Sequence, residues 1–288
     1  MGSKYQLYTP IKMNLTHRIM PSAALQPYVA YYWFFKTDHS SVAMNILPTW
    51  HSKWMFYRGK SMIVDGVGGG HETGRVCGLY LKSISVCVDD STDSFFVVFK
   101  PYAMRLILGI PTDELFTRNL ELSELGITEL DDLKWRVLEA RTNEEAVALV
   151  EEFLLRRLAA VNDFSNIRRI GAVCHAIESS PDTNVGSLSD VACLCQRQFR
   201  RIFTDYVGAS PKQILRMRRF LLAAKELQNT TETTHVSEIS TRLGYTDHSH
   251  FYHEFHQITG MSPTEYVSHI SQLRRCELIK GYKTYHGE

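Results

Sequence analysis

The segment Val185–Pro211, VGSLSDVACLCQRQFRRIFTDYVGASP, returns about fifty residues later as Val236–Pro263, VSEISTRLGYTDHSHFYHEFHQITGMSP. Val185 aligns with Val236, Leu188 with Ile239, Phe199 with Phe251, Phe203 with Phe255, Gly208 with Gly260 and Pro211 with Pro263; the second copy is one residue longer in its turn. Each copy reads as a short helix, a tight turn and a longer helix closed by glycine, the grammar of a helix-turn-helix. The chain therefore carries two copies of one small helical unit.

In the first copy Phe199, Ile202, Phe203 and Tyr206 recur at i, i+3, i+4 and i+7, an apolar stripe that faces a core. Arg197, Arg200, Arg201 and Thr204 fall on the opposite face of the same helix. Outward arginines and glutamines suit the major groove of DNA, where they bond bidentately to guanine and adenine edges. Between Gln196 and Arg219, seven basic residues (Arg197, Arg200, Arg201, Lys212, Arg216, Arg218, Arg219) stand against one acid, Asp205. That excess fits a polyphosphate partner. A solvated surface helix could be as basic, but the duplication argues against so bland a reading. Pro211 to Asn229 reads as one helix with proline in its first turn and Ile214, Leu215, Phe220, Leu222, Ala223 and Leu227 as apolar positions. At 1.5 Å per residue it spans roughly 27 Å, near the ~34 Å between adjacent major-groove faces.

The stretch from about Ile167 to His269 resembles the DNA-binding domain of the AraC/XylS family of bacterial transcription regulators. The residues that carry the resemblance are QRQFRRIF and the Gly-x-Ser-Pro after it, Arg219 and Ala223 in the linker, LGYTDHSHFYHEF, and GMSPTEY. It implies a two-lobed helical domain whose second helices enter successive major grooves on one face of double-stranded DNA. On this reading Gln196, Arg197, Arg200, Arg201 and Thr204 address the first groove, and His248, Ser249, Tyr252, His253 and His256 the second. Lys212 and Arg218 would touch phosphates, while Arg219 is a candidate for an internal ion pair.

The second copy departs from the family pattern in its chemistry. His248, His250, His253 and His256 stand where arginine, lysine or glutamine is more usual. An imidazole gains its charge only near pH ~6.5 when unperturbed. From Phe220 to Ile270 the fixed charges are Lys225 and Arg242 against Glu226, Glu232, Glu238, Asp247, Glu254 and Glu265. The first lobe is thus expected to supply most of the electrostatic grip. HEFH is not HExxH and no cysteine pair lies near, so no metal is expected there. Cys193 and Cys195 occupy the turn before the first groove-facing helix, where the family more often has glycine and serine; a thiol caps a helix weakly. A redox-sensing role for them is outweighed by plain turn-filling.

Residues 1–164 carry 17 basic and 19 acidic residues, and the rest 15 and 12, so the front of the chain has no basic excess to recruit nucleic acid. No apolar run reaches the eighteen or so residues of a membrane span, and the N-terminus lacks an apolar signal core, which leads to a cytoplasmic expectation. Ala43–Pro48, Lys53–Tyr57, Met62–Val67, Val76–Val88 and Ser94–Phe99 read as strands, and Ala103–Leu108, Leu130–Glu139 and Glu144–Leu158 as helices, the last capped at Asn143. The expected architecture is α+β. A β-barrel-like sensor or dimerisation domain with a helical extension covers 1–162, with strands to about 100 and helices over about 101–160. An all-α domain covers 163–288, with helix-turn-helix units at about 185–208 and 236–260.

PYVAYYWFF (Pro27–Phe35), LPTW (Leu47–Trp50) and VVFKPYAMRLILGIP (Val97–Pro111) look like the sensor half of such regulators. Tyr32, Trp33, Trp50 and Trp54 are the candidate lining of a pocket for a small-molecule effector, since such pockets are mostly apolar. A second reading is a ligand-independent DNA binder whose front domain only forms a homodimer or contacts RNA polymerase. Leu130, Leu133, Val137 and Leu138 with Val147, Val150, Phe153 and Leu154 could make that surface, or could pack on their own barrel. A remote third is a cupin-like metalloenzyme using His51, His71, Glu72 and Cys77, which lack the clustered ligand spacing. No cofactor and no catalytic residue is expected.

Overall fold

In a computed structural model the chain is described over residues 15–37, 42–66, 68–88, 91–162, 164–180, 183–229, 236–245 and 247–275; Val67 and Cys276 lie outside them. The front part runs β1 (Leu15–Ile19), β2 (Val29–Lys36), β3 (Val42–Ile46), β4 (Lys53–Tyr57), β5 (Ile63–Val64), β6 (Gly74–Cys77), β7 (Ile84–Val88) and β8 (Asp93–Phe99). There follow α1 (Ala103–Leu108), a 3-10 turn at Thr112–Leu115, β9 (Asn119–Glu121), α2 (Thr128–Glu139) and α3 (Asn143–Ala159). All pairings are antiparallel, in a sheet ordered β1-β2-β8-β4-β6-β9 and a smaller one ordered β3-β7-β5.

The large sheet is buried on both faces. Tyr32, Phe34, Trp54, Phe56, Phe95, Val97 and Phe99 point to one side and pack with α1, α2 and α3, while Phe35, Met55, Tyr57, Phe96 and Val98 point to the other and meet Val64, Ile84, Val86 and Val88 of the small sheet. This explains why PYVAYYWFF is a strand without apolar–polar alternation, since a strand covered on both sides has no solvent face to mark. Val76–Val88, read as one strand, is two with a turn between them. The cap of α3 is Thr142, whose hydroxyl accepts from the Glu145 amide at 3.1 Å, one residue before the expected Asn143. Leu130, Leu133, Val137, Val147, Val150, Phe153 and Leu154 are all buried in the core beneath the sheet, so their apolar faces are spent within the chain rather than kept for a partner.

The helices continue as α4 (Ser165–Ser179), α5 (Val185–Val191), α6 (Gln196–Val207), α7 (Pro211–Asn229), α8 (Val236–Arg242), α9 (His248–Thr259) and α10 (Pro263–Arg275). They form two lobes that share α7. Ile214 and Met217 join a core with Phe199 and Phe203, and Phe220, Ala223, Ala224 and Leu227 join one with Phe251 and Phe255. Ser210-Pro-Lys-Gln213 and Ser262-Pro-Thr-Glu265 start α7 and α10 as matching capping boxes. In each, the serine hydroxyl accepts from the third amide and the Gln213 or Glu265 side chain accepts from the serine amide. Proline at the first helical position costs no hydrogen bond.

The duplication is exact enough to expose a defect in the first copy. Gly244 turns between α8 and α9 at φ 71°, and its counterpart Cys193 holds φ 51°, in the left-handed region where a Cβ is strained. Asp247 caps α9 by accepting from the His250 amide at 2.6 Å, whereas its counterpart Cys195 makes no capping bond to α6. Cys193→Gly is therefore expected to raise stability by about 1 kcal/mol, and Cys195→Asp by about another 1 kcal/mol, both read from equilibrium urea unfolding. In the front core Phe95 stacks on Phe34 with ring centroids 4.4 Å apart and on Phe56 at 5.7 Å. Phe95→Ala should cost about 3–5 kcal/mol in the same measurement, because it empties a closed site.

Candidate nucleic-acid interface

Helices α6 and α9 occupy the same place in the two lobes, and Gly208 and Gly260 close them in the left-handed conformation at φ 90° and 74°. Their outward faces correspond position by position: Gln196 with His248, Arg197 with Ser249, Arg200 with Tyr252, Arg201 with His253, and Thr204 with His256. All are exposed except Thr204, which is half-buried. The apolar stripe behind the first set, Phe199, Phe203 and Val207, is fully buried, so α6 can turn only one face outward.

The basic residues divide into two groups. Arg197, Arg200, Arg201 and Lys212 are exposed and enter no ion pair among the described residues. Arg216, Arg218 and Arg219 are engaged inside the fold. Arg216 donates from Nε to Glu254 Oε2 at 2.6 Å and from Nη2 to Gln257 Oε1 at 2.9 Å. Arg219 lies 3.8 Å from Glu254 Oε2 and 4.5 Å above the Tyr245 ring, which is the internal pairing expected of it. Arg218 donates from Nη2 to the Glu178 carbonyl at 3.1 Å, tying α7 to the end of α4. A phosphate would have to compete with that bond.

Glu254 went unnoticed as a functional group in the sequence. Its side chain is 1% exposed, and it accepts from Arg216 and, at 2.9 Å, from the Tyr245 hydroxyl. The signal was available: Glu254 stands on the apolar stripe of α9 with Phe251, Phe255 and Ile258, where a carboxylate must bring its own partners. Burial and the adjoining Glu254 push the Tyr245 phenol up, so the tyrosine stays a neutral donor. The surface of the second lobe is accordingly less acidic than its sequence count, because Glu254 is internal and paired with Arg216, which lies outside that count. Within α9, the His248 ring meets Ser240 Oγ at 2.8 Å and Tyr252 OH meets Thr264 Oγ1 at 3.0 Å, which orients both side chains.

Each lobe is also fastened to the front part. The Thr112 hydroxyl donates to the Tyr206 carbonyl at 2.9 Å, Arg105 pairs with Asp205 at 3.1 Å, and Trp50 and Leu79 enter the first lobe's core. In the second lobe the Ser83 amide donates to the Ile258 carbonyl at 2.8 Å, and Leu47 enters the core. These contacts take the C-terminal ends of α6 and α9, at Asp205, Tyr206 and Ile258, and leave Arg197, Arg200, Arg201, His248 and His253 uncovered.

The four aromatic candidates for an effector pocket are not brought together. Tyr32 and Trp54 are fully buried against α1–α3, and Tyr32 donates to Glu151 at 3.2 Å. Trp50 packs into the first helical lobe, and only Trp33 faces the space between the two sheets. The candidate metal ligands are also dispersed. Glu72 is bonded to Arg75 and Ser61, Cys77 donates to Tyr80 at 3.3 Å, and His71 is exposed. Among the described residues no group of three or more His, Cys, Asp and Glu stands where it could hold a metal ion, and no helix is long and apolar enough to cross a membrane.

Residues 188–269 match a family model described as a helix-turn-helix domain, and residues 17–121 match a domain of unknown function (DUF6597). The chain is 26% identical over 165 residues to an uncharacterized HTH-type transcriptional regulator of Haemophilus influenzae, covering 56% of this chain and 52% of that protein. It is 28% identical over 127 residues to the arabinose operon regulatory protein of Escherichia coli, covering 42% and 43%. The chain thus spans about half the length of the curated relatives it matches. The DNA-binding domain of AdpA, solved in complex with a target DNA, is 27% identical and covers 37% of this chain and 94% of that one, with a TM-score of 0.32. The duplicated unit thus lies inside the matched helix-turn-helix model, and the relatives to which the chain is similar are named as transcription regulators.

Proposed function

We propose that the protein is a sequence-specific transcription regulator that reads two successive major grooves of DNA, with residues 163–288 as the reading part and residues 1–162 as a sensor and dimerisation part in the cytoplasm. The observation that carries this reading is the pair of equivalent exposed faces on α6 and α9 held apart by one continuous helix of 19 residues. Gln196, Arg197, Arg200, Arg201 and Thr204 address one groove, and His248, Ser249, Tyr252, His253 and His256 the next, with Lys212 on a phosphate. A small molecule or partner at the front part sets the activity. Homodimerisation and contact with RNA polymerase belong to the same proposal; Trp135 and Leu155, exposed 53% and 41%, are the large apolar side chains that α2 and α3 keep outward.

Selection of random duplexes by the purified protein tests this directly. The expected product is a motif of two elements about one helical turn apart, ~10 base pairs centre to centre. Arg200→Ala with Arg201→Ala should abolish specific binding and leave the thermal unfolding curve in place, since both side chains are exposed; unchanged affinity would remove α6 from the groove. The lobes should also differ in salt dependence. Lys212→Ala or Arg197→Ala should each lower the slope of log K against log salt by about 1, whereas Ser249→Ala or Tyr252→Ala should weaken binding without changing the slope.

A further inference from the structure

The two copies of the helical unit differ at one position behind their exposed faces. Glu254 of α9 corresponds to Ile202 of α6, three residues after the aligned Phe251 and Phe199. The unit thus accepts an aliphatic side chain here, and in the first copy Ile202 packs half-buried against that lobe's core. In the second copy the carboxylate is 1% exposed and is met by Arg216 at 2.6 Å, the Tyr245 hydroxyl at 2.9 Å and Arg219 at 3.8 Å. Dehydrating such a group offsets much of its attraction to its partners, and a well-packed apolar side chain of similar size often serves stability as well or better. The stability of the lobe therefore gives no reason for a glutamate in place of an isoleucine.

The carboxylate also fixes where a cation stands. Arg216 follows Lys212 by one turn of α7, so the two share a side of that helix. Its Nη2 donates to Gln257 Oε1 at 2.9 Å, and Gln257 is exposed, one turn after His253 and next to His256 on α9. The guanidinium thus lies at the border between the Lys212 side of α7 and the exposed face of α9, with its side chain still 47% exposed. Arg219 is held a second way, 4.5 Å above the Tyr245 ring, and stays with the fold if the carboxylate loses its charge. Arg216 has no such second anchor: Gln257 is neutral, and a phosphate would outbid it.

We infer that Glu254 is a specificity-determining residue: it holds Arg216 on the protein and so keeps this cation off the DNA backbone beside the second groove. The inference rests on the reading of α6 and α9 as groove-facing helices. A phosphate contact strengthens binding to every duplex alike, whereas base-edge contacts separate one sequence from another. With Arg216 turned inward, the second lobe adds little to sequence-independent binding, and its discrimination rests on Ser249, Tyr252, His253 and His256.

The test titrates the full chain with the duplex it selects and with a random-sequence duplex over a range of salt. Glu254→Gln keeps the shape of the side chain and an oxygen for the Tyr245 hydroxyl but removes the charge. It should steepen the slope of log K against log salt by about 1 on both duplexes, and the preference for the selected duplex should fall several-fold. Adding Arg216→Gln should return the slope to its wild-type value, which a purely structural role of Glu254 would not produce. Glu254→Ile, which copies the first lobe, is measured alongside with the unfolding curve of each variant, so that a folding defect in one leaves the other to decide. A slope unchanged or shallower in both Glu254 variants, or a steepened slope that persists without Arg216, overturns the proposal. Failure of the wild-type protein to prefer any duplex counts instead against the regulator reading.

Discussion

The arrangement of the helical part rests on α7 being a member of two cores at once. Its first half gives Ile214 and Met217 to one lobe and its second half gives Phe220, Ala223, Ala224 and Leu227 to the other. Hydrophobic burial alone would let the second lobe roll about that axis, because apolar contact is not directional. Glu254 supplies direction. A buried carboxylate is tolerated only when its partners are placed well, and here Arg216, Arg219 and Tyr245 approach it from α7 and from the turn before α9. The angle of α9 to α7, and with it the aim of His253 and His256, is therefore tied to one ion-pair cluster.

The front part adds a second tie. Its contacts reach both lobes but not their exposed faces: Thr112 and Arg105 meet the end of α6, and Ser83 meets the end of α9. The groups involved are two backbone carbonyls, a backbone amide, the Thr112 hydroxyl and one ion pair, and hydrogen bonds of this kind weaken steeply with displacement. A shift of the strand ends that carry Trp50, Leu79 and Ser83, which adjoin both sheets, would thus be felt at both helices together. This is a physical route by which an event in the front part reaches the exposed faces of α6 and α9.

Much of this was legible in the residues. The duplicated unit, the long linker helix with proline in its first turn, the stripe Phe199-Ile202-Phe203-Tyr206 and the weakness of cysteine as a cap all follow from period and side-chain chemistry, and α7 has the bounds its sequence announces. The aromatic stretch and the apolar helix faces share one source of ambiguity. Where a segment is covered on both sides, composition stops recording direction, so PYVAYYWFF looked like a pocket lining when half of it faces helices. Likewise Leu130, Val150 and Phe153 could as well have met a partner as their own sheet. The pair Arg105–Asp205 escaped because a pairing across 100 residues leaves no local trace; for Glu254 the place on the apolar stripe of α9 is legible, but its partner Arg216, 38 residues away, is not.

The division of charge between the lobes follows from the same ties. Arg216 and Arg219 hold Glu254 and Arg218 holds α4, so of the seven basic side chains between Gln196 and Arg219 the four left for an external polyanion, Arg197, Arg200, Arg201 and Lys212, lie on α6 or at the adjoining start of α7. The second lobe spends its nearest arginines on its own geometry and offers Ser249, Tyr252, His253 and His256 instead. A duplicated unit has therefore been made unequal by diverting cations inward. In the proposed reading, one lobe anchors by displacing counterions from the phosphate backbone, and the other selects through short-range contacts that a firmly held helix can make.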